Sequence, residues 1–191
     1  MQDIYTNDKS FERKDFTCAS LNKGEYENCV FNSCNFAEST LSGIRFIDCT
    51  FENCNLSLVT LEATSFQHTK FVGCKMLGLK FGTCNHFGLS FSFDNCLLDH
   101  SSFFKTKIRK TVFRNSQLRE TDFAECDLTD SVFDNCDLAN TSFDRTVLEK
   151  ADFRTAYNYS IDPEANRIKK AKFSLGGLSG LLSKYNIIIE R

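Results

Sequence analysis

Every fifth residue from Phe93 to Phe153 is large and apolar, Phe alternating with Leu or Ile through thirteen consecutive slots. The slot two residues earlier is small (Cys, Ser, Thr or Ala) at every step except Phe91. A period of five is neither the 3.6 of a helix nor the 2.0 of a strand, so no ordinary amphipathic element accounts for it. It is an internal repeat. The first half repeats as well, with fifteen apolar slots from Phe11 to Phe81. Phe81 and Phe93 are twelve residues apart, two more than two repeats, so the frame slips once within residues 82–92. Sixteen of the 20 Phe sit on the 28 centres.

A longer period lies on top of the short one. Every twentieth residue gives runs of like residues: Phe11, Phe31, Phe51, Phe71; Leu21, Leu41, Leu61; Phe93, Phe113, Phe133, Phe153. Like stacks on like if four five-residue units make one coil of a solenoid, whose stability is close to a sum of neighbour terms. The lone Pro163 falls just beyond the repeats, as expected where backbone N–H groups are needed for a ladder.

The repeat resembles the pentapeptide repeat family, in which a small residue, often Asp or Asn, precedes Leu or Phe. Asp122-Phe123, Asp127-Leu128, Asp137-Leu138 and Asp152-Phe153 match that pair literally. The resemblance covers roughly residues 9–155 and implies a right-handed quadrilateral β-helix, four pentads per coil and about seven coils. The expected organisation is an irregular N-terminal cap over 1–10, the β-helix over 11–155 with its slip at 82–92, and a C-terminal cap and dimerisation tail over 156–191.

Eight of the ten Cys occupy the small slot, Cys84 does so if His86 is a degenerate centre, and Cys18 lies outside. In that position they read as small buried hydrophobes interchangeable with Ser, Thr and Ala. No apolar run reaches ~18 residues, and the N-terminus lacks an apolar signal core. The expectation is a soluble cytoplasmic protein with reduced thiols and no membrane partner. A net charge of −2 predicts no direct nucleic-acid binding.

Charge in the second half is segregated along the chain but complementary at a spacing of twenty. Lys105 to Arg119 holds six bases and no acid, and Glu120 to Asp144 eight acids and no base. Stacking would pair Lys105 with Glu125 and Arg145, Lys110 with Asp130 and Lys150, Lys107 with Asp127, and Asp99 with Arg119. Asp94, Arg114, Asp134 and Arg154 would alternate in one ladder. Glu120, Asp122, Asp137 and Asp144 are left over and form the candidate acidic partner-binding face, centred on Asp122 and Asp144. Phe87 and Leu89 are candidate contacts in the slipped segment, which otherwise reads as a structural bulge.

Beyond Phe153, Asp162-Pro163-Glu164 predicts a helix start, with a short helix to about Lys172. Leu178, Leu181, Leu182 and Tyr185 have helical spacing, and Ile187-Ile188-Ile189 predicts a terminal strand. This segment resembles the tail of microcin-immunity and quinolone-resistance relatives, which implies a homodimer through Leu178, Leu181, Leu182, Tyr185, Ile187 and Ile189. A monomer capped by its own tail is the alternative.

His68, His86 and His100 stand in no metal or nucleophile motif, and no phosphate-binding glycine loop is present. The sequence implies no catalytic residue, cofactor or metal. The resemblance implies a DNA-mimicking protector of DNA gyrase or topoisomerase IV against a quinolone or peptide toxin. A general interaction scaffold with an unknown partner is the other reading, since fold alone assigns no function.

Overall fold

A chain that must turn every five residues needs a corner that is cheap to make. The residue two places after each centre supplies it by adopting left-handed backbone: Asn115 (φ 48), Glu120 (φ 53), Glu125 (φ 55) and Asp130 (φ 60) mark one full coil. This conformation costs an ordinary residue about 1 kcal/mol or more, which is why Asn, Asp and Gly recur there. The following slot points inward beneath the turn, where small side chains recur and Ile44, Val59 and Leu79 are larger exceptions, all buried.

The computed structural model describes residues 4–190. It is a parallel β-solenoid of eleven strands: β1 Ile4–Asn7, β2 Ser10–Glu12, β3 Gly24–Glu27, β4 Val30–Asn32, β5 Arg45–Ile47, β6 Thr50–Glu52, β7 Ser65–Gln67, β8 Thr69–Val72, β9 Phe91–Asp94, β10 Val112–Arg114 and β11 Val132–Asp134. One sheet has seven strands, β2-β4-β6-β8-β9-β10-β11, and a second has four, β1-β3-β5-β7. The register is twenty residues (Phe31 beside Phe51, Phe113 beside Phe133) except across the slip, where Phe71 lies beside Phe93. The four faces are named here by the centres of one coil: Phe113, Leu118, Phe123 and Leu128. The Leu118 and Phe123 faces are held by single bridges, such as Leu97 to Gln117 to Asp137 and Ser102 to Asp122 to Ser142.

The core is the column of centres. Phe93, Phe113, Phe133 and Phe153 stack with centroids 5.1, 4.9 and 4.7 Å apart. Burying each large apolar side chain contributes about 1.5–3 kcal/mol, and each stacked pair about 0.5–1.5 more. Small-slot hydroxyls and thiols donate to the carbonyl of a centre one coil back. Thr121 Oγ1 reaches Leu98 O at 3.2 Å, Thr146 Oγ1 reaches Phe123 O at 2.9 Å, and Cys54 Sγ reaches Phe31 O at 3.2 Å. Ser, Thr and Cys share this donor role, which explains why they interchange. All ten Cys are free thiols, and Cys18 alone is exposed.

The structure departs from the sequence expectations at both ends and at the slip. The stretch expected as an irregular lead-in already contains β1, paired residue for residue with β3. The helix expected to run to Lys172 does not form. Arg167 bridges Val147, Lys172 bridges Asp152, and Phe173 stacks on Phe153 at 5.4 Å, so the coil continues with degenerate sequence. Asn166 fills the small slot there, donating to Phe143 O at 2.9 Å. A turn over Leu175–Gly177, a helix α1 at Ser179–Leu182 and a turn over Ser183–Tyr185 follow. Ile187, Ile188 and Ile189 form no strand. No helix among the described residues is long and apolar enough to cross a membrane.

At the slip, a turn at Phe81–Thr83 leads into a bulge. His86 is exposed rather than a degenerate centre, while Leu89 and Cys84 turn inward. Here the core also changes its arrangement. In the first half, aromatic pairs come from adjacent faces, as in Phe46–Phe51 at 5.2 Å; in the second they come from opposite faces, as in Phe123–Phe133 at 5.9 Å. Phe91, the one aromatic in a small slot, fills the transition, lying 5.3 Å from Phe81 and 5.1 Å from Phe93.

Candidate partner-binding faces

The residue before a centre and the residue after it straddle one flat face, with side chains outward. On the Phe123 face this places Asp122 before its centre and Asp144 after the centre of the next coil. Asp122 is half-buried, accepting from Ser102 Oγ at 3.0 Å and from the Ala124 N–H at 2.9 Å, which fixes the carboxylate in an Asx turn. Asp144 is exposed and lies 3.1 Å from Arg145 Nε. Glu125, at the corner between the Phe123 and Leu128 faces, sits between Lys105 at 3.6 Å and Arg145 at 3.2 Å, the ladder expected from the spacing.

Two other expected members stand elsewhere. Glu120 occupies the corner between the Leu118 and Phe123 faces, its carboxylate 3.2 Å from His100 Nδ1. Asp137 leaves the candidate face altogether. It lies on the Leu118 face, 3% exposed, accepting from Arg119 Nε at 2.6 Å, Asn158 Nδ2 at 2.8 Å and the Ala139 N–H at 3.2 Å. Burial pushes its pKa up, but the Asn158 and Arg119 hydrogen bonds outweigh burial and hold it below the usual carboxylate range.

The expected ion pairs are partly replaced because an Arg side chain reaches back two positions as well as up one coil. Arg109, rather than Lys107, takes Asp127 at 2.7 Å; Arg119 takes Asp137; Arg167 takes Glu149 at 2.6 Å. Arg114 lies between Asp94 and Asp134 at 4.0 and 3.2 Å as expected, but Arg154 turns to Asp152 at 2.8 Å. Among the described residues Lys110, Asp130 and Lys150 form no ion pair with one another.

The continued coil adds two carboxylates that spacing alone could have found. Asp162 is twenty residues after Ser142, and Glu164 twenty after Asp144. Both lie 2.7 Å from Lys184 Nζ, which draws both pKa values down and raises that of the lysine.

The twenty-residue coil and its five-residue units decide the family. The family model described as the pentapeptide repeat region matches residues 24–92 and 89–156. The chain belongs to the pentapeptide repeat family. Among solved structures it is similar to full-length QnrB1, a plasmid-mediated fluoroquinolone resistance protein, at 17% identity and a TM-score of 0.48, over 96% of this chain and 100% of that one. It is also similar to HetL, a pentapeptide repeat protein involved in heterocyst differentiation regulation from the cyanobacterium Nostoc sp. strain PCC 7120. There the identity is 14% and the TM-score 0.43, over 90% of this chain and 86% of that one. No curated protein sequence matches the chain.

Two features interrupt the pentapeptide pattern and place apolar side chains outside. In the bulge, Phe87 is 82% exposed and held by an Asx turn, its N–H 3.0 Å from Asn85 Oδ1. Leu89, its expected companion, is 7% exposed and packs inward, because the chain must return to the core before β9. In the tail, Leu181 packs against the core while Leu178, Leu182, Tyr185, Ile187 and Ile189 face outward. The tail is seated on Tyr159. Gly180 accepts from the Ile161 N–H at 3.0 Å, and a Cβ there would collide with the Tyr159 backbone.

Proposed function

We propose that this pentapeptide repeat protein is a non-catalytic, cytoplasmic binding rod that acts on a type II topoisomerase. In this reading the C-terminal half of the Phe123 face takes the place of a DNA segment on DNA gyrase or topoisomerase IV. The enzyme is thereby shielded from a quinolone or a peptide toxin. The observation that carries it is the spacing of the carboxylates, Asp122 and Glu125 on one coil and Asp144 on the next, ~4.8 Å further along the rod. The outward apolar tail supports a homodimer, which would double the length of the acidic face.

A gyrase supercoiling titration at two salt concentrations, with and without a quinolone, tests it. Salt-sensitive inhibition, or rescue from the drug, is expected for the intact protein, and Asp122→Asn with Asp144→Asn should weaken it several-fold. Inhibition untouched by the double substitution would mean that the face is wrongly chosen.

A second reading, a general protein-interaction scaffold, draws on the neutralisation of that same face. Arg145 and Lys105 hold Glu125, Arg145 also holds Asp144, and Lys184 holds Asp162 and Glu164. No effect on gyrase at high protein excess would favour it.

A further inference from the structure

The sequence contains one basic pattern twice: Lys107-Ile108-Arg109-Lys110 and Arg167-Ile168-Lys169-Lys170. The copies are sixty residues apart, three whole coils, so they fall at the same place on the same face. The structure bears this out through a continuous column of bridges, Lys107 to Asp127 to Val147 to Arg167. Ile108 is buried as a centre and Ile168 packs against the core, so in each copy the three basic side chains point outward on either side of it. The two clusters bracket a strip of the Leu128 face ~14 Å long, three coils at ~4.8 Å each.

Most of this charge is not spent on the protein itself. The two arginines are taken by Asp127 and Glu149. Among the described residues the five lysines Lys107, Lys110, Lys150, Lys169 and Lys170 are exposed and form no ion pair. Lys110, Lys150 and Lys170 also share one left-handed corner, at φ 61, 59 and 61. The acids within the strip, Asp127, Asp130 and Glu149, are buried or half-buried, so the outer layer is cationic.

We infer that this strip binds the phosphate backbone of a nucleic-acid duplex without reading its sequence. The free cations are lysines, which meet phosphates as point charges; the arginines that could read base edges are occupied. The strip is flat and carries no aromatic side chain, so it offers no stacking platform for single-stranded bases. The near-zero net charge of the chain does not oppose this, because at a Debye length of ~8–10 Å a duplex on one face is largely screened from acids on the far side of the rod. The strip is distinct from the Phe123 face, and its function does not depend on a topoisomerase partner.

Fluorescence anisotropy with a labelled random-sequence duplex tests it. Five lysine contacts predict a log–log salt slope steeper than about −3 and approaching −4.5, so affinity should fall about a hundredfold or more between 50 and 200 mM salt. Lys107→Glu, Lys110→Glu, Lys169→Glu and Lys170→Glu combined should weaken binding more than tenfold with an unchanged circular dichroism spectrum, whereas Asp122→Asn with Asp144→Asn should not weaken it. The same lysine variant should retain any gyrase inhibition that arises from the acidic face, which separates the two functions. The inference is overturned by no duplex binding at 50 mM salt, or by binding that the lysine variant keeps. Tighter capture of single-stranded DNA or of polyglutamate than of the duplex would also overturn it.

Discussion

A thiol buried beneath a corner has a different chemistry from one in water. Burial pushes the thiols of Cys49, Cys84, Cys126 and Cys136 up to about 12, which keeps them protonated at neutral pH. A thiol-reactive probe should therefore label one cysteine per folded chain, Cys18, within minutes, and all ten in denaturant. Rapid labelling of a second cysteine without denaturant would contradict the burial of the small slots. Charge at the residue scale gives a pH prediction. Asp137 and Asp127 both have pKa values held below the ordinary carboxylate value of about 3.9, hydrogen bonds and arginines outweighing burial. Their folded-state pKa is depressed, so the stability they contribute is present above the unfolded pKa and lost as pH falls through the lower folded one. Acid unfolding followed by circular dichroism should thus centre below about pH 4 for these groups, and Arg119→Ala should move its midpoint to higher pH. An unchanged midpoint would show that the Arg119–Asp137 pair contributes nothing.

The slip is the element where the regular pattern fails and packing decides the outcome. Two extra residues cannot be hidden in a ladder, so the chain bulges and one aromatic of the Tyr26, Phe46, Phe66 column has no successor. Phe91 fills that space and joins the rings of Phe66, Phe81, Phe93 and Phe103. Phe91→Ala should cost about 3–5 kcal/mol in urea unfolding, the range for removing a buried ring. Phe87→Ala, a few residues away but 82% exposed, should change stability by less than about 0.5 kcal/mol. Similar losses at both positions would mean that the bulge packs differently. Nothing in the five-residue pattern separates Phe87 from Leu89, since both lie in the segment where the frame is lost. Their opposite fates follow from where the chain re-enters the core.

For the whole molecule, the solenoid makes each face a separate surface. Charges that cancel over the chain do not cancel over a face, and the Phe123 and Leu128 faces of the second half differ in sign. The ends matter for the same reason, because each terminal coil has one neighbour instead of two. The tail covers the last coil with Leu181 and ties itself down through Lys184 to Asp162 and Glu164, leaving Leu178, Leu182, Tyr185 and Ile187 outward. If these form the proposed homodimer, light scattering should give about twice the 21.8 kDa chain mass, and Leu182→Glu with Ile187→Glu should return it to the monomer. A monomer in the unsubstituted protein would assign the tail to capping alone.

The sequence by itself determined the solenoid, its twenty-residue coil, the stacked Phe columns and the slots of eight cysteines. A side chain repeated every five residues can be satisfied by one geometry, and each residue's face follows from its place in the unit. Its reach ended where the unit degenerates, so the stretch from Asp162 to about Lys172 was expected as a helix although Asn166 keeps its slot and Phe173 follows Phe153 by one coil. The tertiary structure decided which charges are spent: Asp137 is buried against Arg119, Arg109 displaces Lys107 from Asp127, and the five lysines of the Leu128 strip form no ion pair among the described residues. Spacing assigns a long charged side chain to a face, but the partner it takes there is a choice among neighbours differing by less than about 1 kcal/mol. That choice rests on distances between coils that no periodicity encodes.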